Sequence, residues 1–468
     1  MPSQTKPKTP KPSARAAMPS SAASARSSNG SDATAALRGI GRLAVDAVVA
    51  TTDIAEHLHR TILDLSPVIG AARPARTGGI PGFVYGSVRK VARTAGSGVD
   101  LALAHLAPRL MGDATIALPR AQRSVREATL AALNGVVGDH LDATGNPLAI
   151  EMRLRQHGED VMPHSEGLAL RDATSASGRV MILAHGLCMN DLQWLRDGHD
   201  HGVELADALG YTPLYLHYNS GRRISINGRA FATLVQELFE RWPTPIDEIA
   251  IVGHSMGGLV TRSACEYAKQ AEHAWLERLK RIVFLGTPHH GAPLERAGNR
   301  VDRLLRASPY TAPFARLGQM RSAGVQDLRY SNLRDEDWFG RSETHADDPR
   351  TPVALPDGVN CYALAASTQR AAEGKKSPAS KRAQSAVYES RTRLRGDGLV
   401  AVNSALGMHE DPEFSLPIPP ARQAIVHDVD HFDLLASREV YDHLRAWLSE
   451  PEVPRLAAKT RKRKDSPR

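Results

Sequence analysis

The chain has 468 residues, 42% hydrophobic and 24% charged, with aromatics at only 5%. That length can bury a large core and suggests more than one domain, and no window approaches the roughly 18 uninterrupted apolar residues of a spanning helix. The net charge of +8 belongs to the ends: residues 1–35 carry +4 and residues 454–468 carry +6, leaving −2 between them, which argues against a basic nucleic-acid groove.

Residues 1–35 are rich in Pro, Ser, Ala and Lys and read as a disordered basic leader. No apolar stretch follows their basic residues, so no secretory leader is expected. Residues 36–146 read as a helical region. Leu37, Ile40, Ala44, Ala47, Thr51, Ile54 and Leu58 recur at three- and four-residue steps, as do Val84, Val88, Val91, Ala95, Val99 and Ala102. A third helix is expected over about Arg120 to Val137, and Pro67, Gly78, Gly79 and Pro81 punctuate the region. These helices either pack on the protein or lie on a membrane by their small-residue faces. Their polar faces lack the basic character of interfacial helices, which favours packing.

From 147 the pattern changes. Leu148, Ile150, Met152 and Leu154 alternate as a half-buried strand does. Continuous apolar runs follow at 180–184, 212–216, 249–252, 282–285, 362–366 and 424–426, most of them separated by helical segments. Such runs suit strands buried on both faces, so residues 147–450 are expected to form a doubly wound, mostly parallel α/β sheet. Residues 292–358 carry few strand signals, many charges, and Tyr310, Phe314, Leu317, Met320, Trp338 and Phe339, and read as an insertion over the sheet. The polar stretch 368–394 reads as a mobile loop, and 451–468 as a disordered basic tail.

Gly253-His254-Ser255-Met256-Gly257 follows the run 249–252 and precedes a helix-compatible segment. Strand, Gly-x-Ser-x-Gly, helix is the pattern of a nucleophile elbow. Its turn forces Ser255 into a strained backbone conformation, and side chains at 253 or 257 would collide with the crossing strand and helix. The helix N-terminus behind Ser255 favours a developing oxyanion. Run 180–184 ends in Ala184-His185-Gly186-Leu187-Cys188, a turn that can aim the Leu187 N–H beside the Met256 N–H as a pair of oxyanion donors.

A base is sought after the last strand among 19 histidines. His431 lies a few residues beyond it, with His427 and His443 as alternatives. The acid belongs in the loop after the penultimate strand. There Asp397 sits between Gly396 and Gly398, while Asp347 and Asp348 are fallbacks. The three cysteines, Cys188, Cys265 and Cys361, are odd in number and widely spaced. They imply neither a disulfide framework nor a zinc site, in keeping with a reducing, cytoplasmic location.

Together these residues resemble the lipase-like α/β-hydrolases, in particular bacterial triacylglycerol lipases and the lipase-like domain of GPI inositol-deacylases. The matching motifs are His185-Gly186, Gly253 to Val260, Leu285-Gly286-Thr287-Pro288-His289-His290-Gly291-Ala292, Gly396-Asp397-Gly398-Leu399-Val400 and His431-Phe432-Asp433, covering about 180–445. The resemblance implies an α/β-hydrolase fold and an esterase or lipase with Ser255 as nucleophile, Asp397 as acid and His431 as base. It implies that Thr287 and Pro288 border the site along with His185, Gly186 and His254, and that the 292–358 insertion is a lid. His289 and His290 then belong to loop structure, not to a metal site. Asp433 matches a calcium position of some such lipases but finds no partner in the sequence, so no cofactor is expected. An ester or lipid is the expected substrate, without nucleic acid; peripheral membrane contact is the one further partner considered, and nothing speaks to oligomeric state. Two alternatives stay open: acyl transfer to an alcohol by the same residues, and a non-catalytic, membrane-associated module on this scaffold.

Overall fold

The computed structural model describes residues 38–46, 90, 120–161, 170, 176–291, 322–339, 350–370 and 396–451. The chain divides into two compact units, Met1–Leu118 and Pro119–Arg468. In the first, 38–46 form a helix. The expected leader and the other helices before 118 lie outside the described residues, as do 371–395 and the tail beyond 451. Among the described residues no helix is long and apolar enough to cross a membrane.

The second unit opens with helix α1 (Arg120–Ala143), six residues longer than its periodicity predicts and interrupted at Val137 (φ −134°, ψ 20°). The sequence reading groups this helix with the region 36–146, whereas its contacts fall within the second unit. The strand expected at 148–154 is displaced. Asn134 of α1 donates from Nδ2 to the Leu148 carbonyl at 2.8 Å and accepts from the Ile150 N–H at 2.9 Å, so this backbone is satisfied by a side chain instead of a neighbouring strand. Pairing begins only at β1 (Arg153–Gln156), which turns through His157 and Gly158, both at positive φ, into the short β2 (Glu159–Asp160).

The remaining strands are β3 (Arg179–Ala184), β4 (Thr212–His217), β5 (Glu248–His254), β6 (Leu279–Leu285), β7 (Asn360–Ser367) and β8 (Gln423–His427). They form one eight-stranded sheet in the order β2-β1-β4-β3-β5-β6-β7-β8. β1 runs antiparallel to β2 and β4; every other pairing is parallel. Met181, Leu183, Ala250, Val252, Val283 and Leu285 face one side of the sheet. They are covered by α2 (His201–Leu209) and α6 (Arg438–Leu448), which contribute Leu205, Val440, Leu444 and Trp447. The alternate residues pack on the other side, where α3 (Ile224–Arg241) and α4 (Met256–Gln270) bury Phe231, Val235, Leu238, Leu259 and Val260. Each such side chain contributes roughly 1.5–3 kcal/mol on leaving water. α2 shows how sharply the sequence sets its ends. Asp200 caps the Gly202 and Val203 N–H groups, and Gly210 closes the last turn at φ 73°.

The chain leaves β3 toward β4 on one side and leaves β5 toward β6 on the other. Loops at the C-terminal ends of β3 and β5 therefore flank the switch point of the sheet, where doubly wound folds open a crevice. Within the 292–358 insertion, the described part includes α5 (Ala323–Tyr330). It is fastened to the body: Ser322 Oγ donates to the Gly135 carbonyl at 2.7 Å, and Asp327 accepts from the Ile224 N–H at 2.9 Å. The lid expectation thus concerns 292–321 and 340–349, which lie outside the described residues.

Candidate active site

β5 delivers Ser255 at φ 53°, ψ −124°, a conformation costly for any residue with a side chain. Its neighbours explain why it holds. A Cβ on Gly253 would lie 2.6 Å from Gly258 Cα, and one on Gly257 would lie 2.2 Å from the Ala184 carbonyl oxygen. Behind the turn, the buried Thr287 fills the space over Gly258, where a Cβ would meet its Oγ1 at 2.0 Å. The Ser255 N–H donates to the Leu285 carbonyl at 2.8 Å, tying the elbow to the end of β6. The Pro288 carbonyl accepts from the Gly291 N–H at 3.1 Å and so shapes the turn after β6.

β3 and β5 are neighbours with Ala184 opposite Gly253, so the 185–188 turn stands beside the elbow. A Cβ on Gly186 would come within 3.0 Å of Ser255 Cβ. Leu187 and Met256 are buried, and neither backbone N–H donates to an acceptor among the described residues. Unpaired buried N–H groups are rare, and two on adjacent loops at a helix N-terminus form a receptor for negative charge.

The support under this turn is not apparent from sequence patterning. Cys188 takes φ 60°, its N–H donates to Ser220 Oγ at 3.0 Å, and the Tyr218 hydroxyl donates to the His185 carbonyl at 2.8 Å. Helix α1 presses on it from behind: a Cβ on Gly135 would lie 2.2 Å from Cys188 Sγ and 2.9 Å from its Cα. Gly135→Ala should gain up to about 1 kcal/mol of helix propensity yet displace the 187 N–H. Turnover should fall about 10²-fold, as misplacement near 1 Å does. Steady-state kinetics beside a thermal melt checks this, and unchanged kcat would mean that α1 does not set the turn.

Asp397 and His431 meet directly. His431 Nδ1 lies 2.7 Å from Asp397 Oδ2, and the His431 N–H donates to the Asp397 carbonyl at 3.1 Å. The other carboxylate oxygen accepts the Leu399 and Val400 N–H groups at 2.9 and 2.7 Å, in a turn that Gly398 permits at φ 95°. Both side chains are almost fully buried. The pair adjoins the elbow: a Cβ on Gly286 would meet His431 Cε1 at 3.2 Å and Asp397 Oδ2 at 3.3 Å, and Gly286 follows the Leu285 that holds Ser255. His254 completes the link by donating from Nε2 to the His431 carbonyl at 3.0 Å. The alternatives lie elsewhere. His427 contacts the Gln369 carbonyl at 3.2 Å, and the His443 ring lies tilted against Trp447 on α6. Asp347 and Asp348 lie outside the described residues.

Five histidines are held neutral, four of them buried and His290 partly buried. Burial, first among the causes, pushes His185 and His290 down to about 3 and His201 to about 4, and holds His254 and His289 well below 6.5. Unfolding releases each to an ordinary value near 6.5, so below that pH the unfolded chain binds more protons. Stability is therefore full above pH 6.5 and falls as the pH drops toward 4. Denaturant midpoints at pH 7.5 and 5.5 should differ accordingly; equal midpoints would mean that these rings titrate freely.

Cavities open among the described residues of this unit. One of about 710 Å³ is lined by the β1–β2 hairpin, Leu192, Leu195 and Tyr215; another, about 210 Å³, is lined by Arg262, His289 and Val353. Ser255, Asp397 and His431 line neither.

The mostly parallel eight-stranded sheet and the strand–elbow–helix unit are those of an α/β-hydrolase fold. In agreement, the family described as PGAP1-like alpha/beta domain matches residues 228–326. No curated protein matches the chain. Among solved structures, the mature form of a lipase from Bacillus licheniformis is 17% identical, with 64% of this chain and 98% of that one covered at a TM-score of 0.35. An esterase from Pyrococcus furiosus is 14% identical, with 58% and 83% covered at 0.33. A lipase-esterase related protein from Clostridium acetobutylicum is 11% identical, with 58% and 96% covered at 0.31.

Proposed function

We propose that this chain hydrolyses carboxylic esters, foremost those of lipidic acyl chains, through an acyl-enzyme on Ser255. The observation that carries this reading is the grouping, at the C-terminal ends of the strands, of a strained serine, a histidine 2.7 Å from a buried carboxylate, and two N–H groups of buried residues without acceptors among the described residues. Ser255 Oγ attacks the ester carbonyl while His431 Nε2 takes its proton. Asp397 holds the Nδ1–H and stabilises the imidazolium that results. The Leu187 and Met256 N–H groups hold the oxyanion, each worth about 10²–10³ in rate. As the carbonyl re-forms, the alcohol leaves with the proton from His431. Water then repeats the sequence on the acyl-enzyme, and the carboxylic acid departs.

His254 acts as support. Its neutral ring donates to the His431 carbonyl and leaves the basic Nε2 of His431 unopposed by a second cation. A panel of p-nitrophenyl esters of rising chain length tests the reading. Hydrolysis that increases toward long acyl chains is expected. A preference for short acyl groups would remove the lipidic part, and no hydrolysis at any length would remove the enzyme. Adding a competing alcohol distinguishes transfer from hydrolysis, since transfer yields a new ester.

A further inference from the structure

Arg262, on α4 two turns beyond the elbow, is 6% exposed. Its Nη2 donates to the Val353 carbonyl at 2.7 Å and its Nη1 to His289 Nδ1 at 3.4 Å, while Nε is buried without a partner. Among the described residues no carboxylate bonds it. Arg281, buried to the same degree, is by contrast paired with Glu248. A guanidinium does not shed its proton, so an unpaired one costs several kcal/mol of desolvation unless an anion joins it.

The guanidinium lines the 210 Å³ cavity together with His289, His290 and Arg350. That space is roughly seven water volumes. His289 accepts at Nδ1, so its ring proton sits on Nε2, which is also buried without a partner. The Phe284 ring, edge-on at 4.6 Å, offers only a weak π acceptor. Two buried N–H donors, one of them on a guanidinium that no described carboxylate touches, call for an acceptor carrying negative charge. Asp337 also lines the cavity, but its carboxylate accepts the Leu333, Arg334 and Thr351 N–H groups at 2.9, 3.0 and 3.3 Å. Together with the exposed Glu413 it opposes a second negative charge on any occupant.

We infer that this cavity is a binding site for a small singly charged oxyanion, a carboxylate in preference to phosphate, held by Arg262 Nε and His289 Nε2. It is separate from the Ser255 site and does not depend on the hydrolase reading.

The test is thermal melting of the full chain in sodium acetate, sodium phosphate and sodium chloride at matched ionic strength. Acetate should raise the melting temperature saturably, by roughly 2–4 °C over chloride, in wild type and in Ser255→Ala alike. Arg262→Met should be no less stable than wild type without acetate, because it removes a buried charge, and should lose the acetate response. The partly exposed Arg350→Gln should keep the fold and raise the half-saturating acetate concentration several-fold, which decides the matter if Arg262→Met does not fold. An acetate effect no larger than chloride's, a response retained in Arg262→Met, or an unshifted half-saturation in Arg350→Gln overturns the site. A phosphate effect exceeding that of acetate overturns its single-charge preference.

Discussion

Ser255→Ala should leave a folded protein whose kcat on an activated ester is lower by about 10⁴–10⁶-fold. The nucleophile is removed, while the N–H groups of residues 187 and 256 and the pocket walls stay in place and supply the residual rate. Stability should hardly change. The φ of 53° persists for alanine, and the fastening of the elbow runs through backbone groups, the Ser255 N–H to Leu285 and the Gly258 N–H to the Ser255 carbonyl. A melting temperature equal to wild type together with lost turnover assigns Ser255 to chemistry. Activity within tenfold of wild type would place the nucleophile elsewhere.

Asp397→Asn comes next in size, at about 10⁴-fold. The amide oxygen can still accept from Leu399 and Val400, so the turn that Gly398 allows survives. The amide NH₂ then faces His431 Nδ1 where a carboxylate oxygen stood 2.7 Å away. Two donors cannot face each other, so the ring proton moves to Nε2 and the base is lost. A fall of less than tenfold, with the melting temperature unchanged, would mean that Asp397 serves only its turn.

Much of this was readable from sequence, for definite physical reasons. Parallel strands buried on both faces must be continuously apolar, so 180–184, 249–252 and 282–285 announced themselves. The elbow was readable because backbone crowding admits only glycine at 253 and 257, and the structure shows the Ala184 carbonyl and Gly258 in the space their side chains would need. Asp397 and His431 could be named from their places after the last two strands. Contacts between distant segments were not readable. Gly135 registers in sequence only as part of a small-residue face, since nothing local reveals that Cys188 fills the gap. The alternation at 148–154 promised a strand, but Asn134 captured the backbone first. Nothing local to Arg262 in the sequence reveals that it is buried against Val353 and His289.

The central claim is that Ser255 is the activated nucleophile of an ester hydrolase. A fluorophosphonate probe tests it most directly, because it reacts only with a serine whose base and oxyanion donors are in place. One adduct per chain by intact mass, located on the peptide bearing Ser255 and absent from Ser255→Ala and Asp397→Asn, is the predicted result. A folded wild type that takes up no probe, or an adduct that persists in Ser255→Ala, would contradict it.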